Sequence, residues 1–131
     1  MGFLAKKDGE RGEPAVRTVP MPSDANSNGD IFGGWVLSQM DLAGGAVTAQ
    51  VVRGRTATVA IEAMTFHKPV FIGDLVSCYV EVVKTGRTSV TVKIDTFATR
   101  RFGGEEVKVT EGTFIYVAID DEGRPRPVDQ R

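Results

Sequence analysis

The stretch that most limits what this chain can become is Asn26 to Gln50, NSNGDIFGGWVLSQMDLAGGAVTAQ. It opens on Asn-Ser-Asn-Gly-Asp and then turns abruptly apolar. Asn and Asp hydrogen-bond their own backbone in turns and Gly29 accepts positive φ, so Asn28-Gly29-Asp30 reads as a tight turn. Beyond it, Trp35, Met40, Leu42 and Val47 stand among small residues with no proline, which predicts a helix from about Gly33 to Val52. Apolar residues fall on nearly every face, so this helix is expected to be buried rather than laid on a surface. Ala43, Gly44, Gly45, Ala46 and Ala49 keep its middle thin enough for another backbone to approach. At 1.5 Å rise per residue it would run about 30 Å, the width of a small domain.

Asp41 sits inside that apolar run. A carboxylate there must find a partner, titrate upward or border a cavity. One reading is a helix kink or an inter-helix hydrogen bond. The other is chemistry, and the helix entrance supports it. Gly33-Gly34 leave backbone N–H groups uncovered by any side chain, at the positive end of the helix dipole. Exposed amides and a carboxylate about two turns on are the parts needed to polarise a carbonyl and aim a water at it.

The wording of these blocks is specific. Met21-Pro22-Ser23-Asp24-Ala25-Asn26, Asn28-Gly29-Asp30-Ile31-Phe32-Gly33-Gly34-Trp35 and Ser38-Gln39-Met40-Asp41 closely resemble the YciA-type acyl-CoA thioesterases of the hotdog-fold superfamily. The resemblance continues through Glu62-Ala63-Met64-Thr65-Phe66, Gly73-Asp74, Gly86-Arg87-Thr88-Ser89 and Tyr116-Val117-Ala118, covering about residues 16 to 126. It implies an α+β hotdog fold, an antiparallel sheet wrapped around one long helix, and hydrolysis of acyl-CoA to a free carboxylic acid and coenzyme A. It places a catalytic carboxylate at Asp41 and a carbonyl-polarising N–H at Gly34. Asp30 stands where related two-domain thioesterases carry an Asn that acts with the opposite subunit's carboxylate. An Asp there departs from that form, and an N-cap or turn role stays open beside the catalytic one. In the family the Gly86–Ser89 loop contacts the nucleotide of coenzyme A, and Arg87 beside the hydroxyls of Thr88 and Ser89 suits phosphates. Lys68 and Arg126, with Arg100 and Arg101, are weaker phosphate candidates. The implied partners are acyl-CoA and a second copy of the chain. The copies form a homodimer with shared active sites, assembled into a hexamer as a trimer of dimers. Coenzyme A enters only as part of substrate and product, and no cofactor or metal is expected.

A catalytic histidine is not required by this chemistry. The leaving thiol has a pKa of about 8.5, like that of cysteine, and departs without strong protonation. The one histidine, His67, precedes Lys68-Pro69 and reads as structural; it also excludes a His-rich metal cluster. A hotdog hydratase would need an Asp–His pair, which this His67 context does not offer. A non-catalytic acyl-CoA sensor is the other alternative. Sensors of that kind carry a DNA-binding helix-turn-helix, and the N-terminal dozen residues are too short and glycine-broken for one.

Composition bounds the rest. The 131 residues fit one domain, with 16 Lys plus Arg against 17 Asp plus Glu, so no global charge announces nucleic acid or an anionic membrane. Cys78 is alone, which excludes an intrachain disulfide, and no apolar run is long enough to span a bilayer. The start, MGFLAKKDGERGEP, lacks the apolar segment of a secretory signal, and a cytoplasmic protein is expected. Residues 1–12 are expected to be flexible, 13–127 to form the domain and 128–131 a tail.

Strands fill the remainder. Val16 to Met21, bounded by prolines, suits a short edge strand. Thr58 to Phe66 is rich in Val, Ile, Thr and Met, and Phe71-Ile72-Gly73-Asp74 reads as a connecting turn. Leu75 to Lys84 alternates Val76, Cys78, Val80 and Val82 against Ser77, Tyr79 and Glu81, a half-buried strand. Gly86-Arg87 turns a hairpin into Ser89 to Thr99, where Val90, Val92, Ile94 and Ala98 share a face. Val107 to Ile119, apolar over its second half, is expected to be central or interfacial.

Overall fold

Gly33–Val52 forms one helix of 20 residues, α1, with the bounds its composition predicts. The computed structural model describes residues 11–129. Around α1 the chain builds β1 (Val16–Thr18), β2 (Arg55–Phe66), β3 (Leu75–Thr85), β4 (Ser89–Thr99) and β5 (Glu106–Ile119). All neighbours are antiparallel, in the order β1-β3-β4-β5-β2. A sheet curled on a single helix is the hotdog arrangement. No helix among the described residues is long and apolar enough to cross a membrane.

Each element follows from local chemistry, with some corrections to the sequence reading. The first strand stops at Thr18 rather than Met21, because Pro20 and Pro22 have no N–H to give a ladder; Pro22–Asp24 is a 3-10 turn instead. The second begins at Arg55, directly after α1 ends on Arg53 in the left-handed region (φ 55). The third is not half-buried: Val76 to Val80 are buried on both faces. Its outer face is covered, since Arg17 donates to Ser77 Oγ and Arg11 lies over the rings of Tyr79 and Phe97. The fourth alternates as expected, with Val90, Val92, Ile94 and Ala98 in the core. The fifth is central, between β4 and β2.

The expectation of a flexible segment over 1–12 falls mostly outside the described residues. Arg11, within them, is tied to Glu106 at 2.8 Å. At the other end the domain runs one residue beyond the expected boundary. Val128 packs into the core and donates its N–H to the Arg87 carbonyl.

The core lies between α1 and the inner sheet face. Val36, Met40, Ala43, Gly44, Val47, Thr48 and Val52 face the strands. Full burial of a Val- or Met-sized side chain contributes about 1.5–3 kcal/mol, so this one stripe anchors the helix. The opposite stripe is not covered, contrary to the all-round burial expected: Leu42 is 62% exposed. One five-stranded sheet reaches only one side of a helix. The β2 edge is likewise apolar and open, with Val59, Ile61 and Phe66 exposed.

Candidate active site

Asp41 projects, half-buried, from the helix toward β2 and β5. Thr58 Oγ1 donates to its Oδ1 at 2.6 Å, and the Tyr116 hydroxyl donates to the same oxygen at 2.8 Å. That hydroxyl also lies 3.0 Å from the Asp41 carbonyl oxygen. Oδ2 accepts no hydrogen bond among the described residues. Thr58 and Tyr116 are directly opposed across β2 and β5, so both side chains leave the sheet on the same face. Immediately after Thr58 the register slips, and the next pair is Ala60 with Ile115. Val59 is the extra residue of a β-bulge, a device that re-aims side chains beside functional sites.

The Tyr116 ring reaches Asp41 by crossing Gly44, one turn farther along α1. A Cβ at Gly44 would overlap the ring and hydroxyl of Tyr116. Gly44→Ala is therefore expected to destabilise the fold by about 1–3 kcal/mol through overpacking, despite alanine's better helix propensity. A chemical denaturation midpoint equal to wild type would refute that contact. Burial, reinforced by the Asp41 carboxylate, holds the Tyr116 phenol far above its ordinary pKa. It remains a donor throughout the working pH range.

The helix entrance is a separate construction. Asn26 Oδ1 accepts the N–H groups of Asn28 (2.9 Å) and Asp30 (3.2 Å), Asn26 N–H donates to the Asp30 carbonyl, and Gly29 takes φ +90°. Asp30 is thus a turn residue by its main chain. It is not the helix cap, which is Phe32 and offers no side-chain acceptor. The Asp30 carboxylate makes no hydrogen bond among the described residues. The first capped donors are Trp35 and Val36, both to the Phe32 carbonyl, and the Gly33 and Gly34 N–H groups have no hydrogen-bond partner among the described residues. A Cβ at Gly34 would meet nothing within 4 Å. A cavity of about 350 Å³ opens there, lined by Asp30, Gly33, Phe66 and Lys68 among others.

The Arg87 loop is the β3–β4 hairpin, closed by Gly86 N–H on the Ser89 carbonyl. The Thr88 carbonyl accepts from Ala118 N–H, while the Arg87 side chain is exposed and has no partner among the described residues. A cavity of about 270 Å³ lies beside Gly86, Arg87 and Val128. Val90, three residues beyond Arg87, pairs with Tyr116, so this hairpin lies at the Asp41 end of the sheet. Lys68 lies elsewhere. Its N–H bonds the Val109 carbonyl, whereas Ser89 pairs with Val117. Eight residues of strand separate those positions, about 27 Å. One chain therefore presents two separate groups of candidate residues. Asp30, Lys68 and the Gly33-Gly34 helix entrance make one; Asp41, Thr58, Tyr116 and the Arg87 hairpin make the other.

Other expected residues serve the fold. The Arg126 guanidinium donates to the Val52 carbonyl at 2.9 Å and lies against bare Gly54, so it caps the C-terminus of α1 rather than standing free for a phosphate. Arg100 is paired with buried Asp74 and donates to the Pro69 carbonyl. The Arg101 guanidinium packs over Gly73 and the Phe102 ring. His67 lies 3.3 Å from Glu111, outside the Asp41 group. Cys78 is fully buried, and burial pushes its thiol up to about 11. Thr58, Tyr116 and Gly44 escaped the sequence reading as site residues. The available signal was Tyr116 itself, a phenol in the apolar second half of β5 that needs a partner for its hydroxyl.

The profile of the Thioesterase superfamily matches residues 28–101, a span that holds Asp30, Gly34, Asp41, Thr58 and Arg87. The chain is 46% identical to the acyl-CoA thioester hydrolase YciA of Salmonella typhimurium, over 90% of this chain and 91% of that one. Against the YciA of Escherichia coli K12 the identity is 45%, over 88% and 90%. Among solved structures it resembles the hexameric thioesterase y2039 from Yersinia pestis, with TM-score 0.85 and 44% identity over 91% of this chain and 97% of that one. The hexameric hotdog-fold thioesterase Cj0915 of Campylobacter jejuni superimposes with TM-score 0.85 at 40% identity, over 90% and 91%. With the family profile matched over more than half its length and close relatives matched over nearly all of it, the chain belongs to the Thioesterase superfamily and takes the hotdog fold.

Proposed function

We propose that this protein is an acyl-CoA thioesterase, hydrolysing the thioester to a free carboxylic acid and coenzyme A. The observation that carries the reading is the Asp41 carboxylate. Two donors engage one of its oxygens, and the other accepts no hydrogen bond among the described residues. That free oxygen takes a proton from a water as the water attacks the thioester carbonyl. The Gly34 N–H, at the positive end of α1, holds the developing oxyanion. The tetrahedral intermediate then collapses, breaking the C–S bond, and the thiolate recovers the proton from Asp41. No cofactor enters this sequence. The two groups of residues join across a homodimer, through the open stripe of α1 and the apolar β2 edge. Dimers assemble into a hexamer as a trimer of dimers, a reading that the hexameric relatives support. The deciding experiment is thiol release from acyl-CoA, followed with a chromogenic thiol reagent. Tight acyl-CoA binding without thiol release would favour a non-catalytic acyl-CoA-binding protein instead.

Arg87 is proposed to read the coenzyme A phosphates, with Thr88 and Ser89 beside it. A phosphate contact is equally strong in the ground and transition states, so its loss raises KM and leaves kcat nearly unchanged. Arg87→Ala is expected to raise KM for acyl-CoA by about tenfold, the value of one charge-assisted hydrogen bond. On a truncated pantetheine thioester, which lacks the nucleotide phosphates, the effect should vanish. Equal losses on both substrates would remove Arg87 from nucleotide recognition.

A further inference from the structure

We infer that Tyr116 is a positioning residue that decides which oxygen of Asp41 faces the attacking water. The inference rests on Asp41 being the base proposed above and extends it to a residue that does not touch substrate. The terminal torsion of an aspartate is broad and roughly two-fold, so a carboxylate held at one point can exchange its two oxygens. Here three contacts oppose that exchange. Tyr116 and Thr58 converge on Oδ1 from two strands, and the Tyr116 hydroxyl also contacts the Asp41 carbonyl. Side chain and main chain of Asp41 are thereby referred to one fixed atom.

That atom is well anchored. The Tyr116 side chain is 1% exposed and stacks on Phe114, with ring centroids 6.4 Å apart. Thr58, by contrast, lies on the edge strand next to a bulge. The glycine at position 44 leaves the ring a path across the helix, and any larger side chain would close it. Tyr116 therefore supplies the rigid reference and Thr58 the second donor.

The test is Tyr116→Phe, which removes one oxygen and keeps the ring. The expected result is a fall in kcat of about 10- to 100-fold, the range that misplacement of a catalytic group produces, with KM for acyl-CoA within about twofold of wild type. In an Asp41→Asn background the same substitution should cost less than about twofold more, because Tyr116 acts through the group already removed. Wild-type kcat in Tyr116→Phe would overturn the inference. So would a full further loss in the Asp41→Asn background, or an effect confined to KM. If Asp41→Asn itself turned over like wild type, the fault would lie with the assignment of the base rather than with Tyr116.

Discussion

Asp41→Asn is expected to lower kcat by about two to four decades while coenzyme A binding stays within a few-fold of wild type. The substitution is nearly isosteric, and the amide oxygen can still accept from Thr58 Oγ1 and the Tyr116 hydroxyl. Packing around the helix should therefore survive. What changes is the free oxygen. It becomes an amide NH₂, which donates to a water and cannot take its proton. Coenzyme A is proposed to be held at the Arg87 hairpin, a different loop from the chemistry, so binding and turnover should separate. Thiol release measures turnover, and calorimetry with coenzyme A measures binding. A folded variant with wild-type kcat would remove Asp41 from the mechanism.

Mixing two inactive variants is expected to restore activity. Gly34 and Asp41 are seven residues apart on one helix, roughly 10 Å along its axis. Groups acting on one carbonyl and its attacking water must lie within about 3 Å of them. Within a chain the two lie too far apart to serve one thioester, so the proposed dimer has to bring the helix entrance of the partner to Asp41. The second variant is Gly34→Pro. It deletes the N–H yet leaves a residue tolerated in a first helical turn, at a position with open space around it. In a heterodimer with Asp41→Asn, one site keeps both groups and the other loses both. Random pairing at equal concentrations should then recover about a quarter of the wild-type sites, from the symmetry of a two-fold dimer. Subunit exchange is verified by mass-tagged protomers. Heterodimers without recovered activity would mean that each site is built within one chain.

How much of this was legible beforehand depends on the range over which each feature is decided. The bounds of α1 follow from the turn at Asn28-Gly29-Asp30 and from Arg53-Gly54, all within a few residues of the helix. The limits of β4 follow from its alternation. Asp41 declared itself because a carboxylate is costly in an apolar run, whatever the tertiary structure. Arg126 shows the converse. A guanidinium in a proline-bounded tail gives no local sign that it will cap a helix 74 residues earlier.

Local chemistry in the sequence set the bounds of α1 and β4, the family and the presence of one misplaced charge, because propensity, periodicity and the cost of burying a carboxylate act over a few residues. Only the tertiary structure decided what that charge touches. Thr58 and Tyr116 meet because of the β2–β5 register, and the bulge at Val59 reverses the alternation of β2 until a second slip between Glu62 and Thr65. Register is set by how two distant segments pack, and a slip of one residue sends every side chain to the opposite side of the sheet. The bare surface of Gly44 became meaningful only once the Tyr116 ring lay across it. The open stripe at Leu42 is of the same kind. A helix apolar on both sides looks buried in the sequence, but one sheet can cover only half of it.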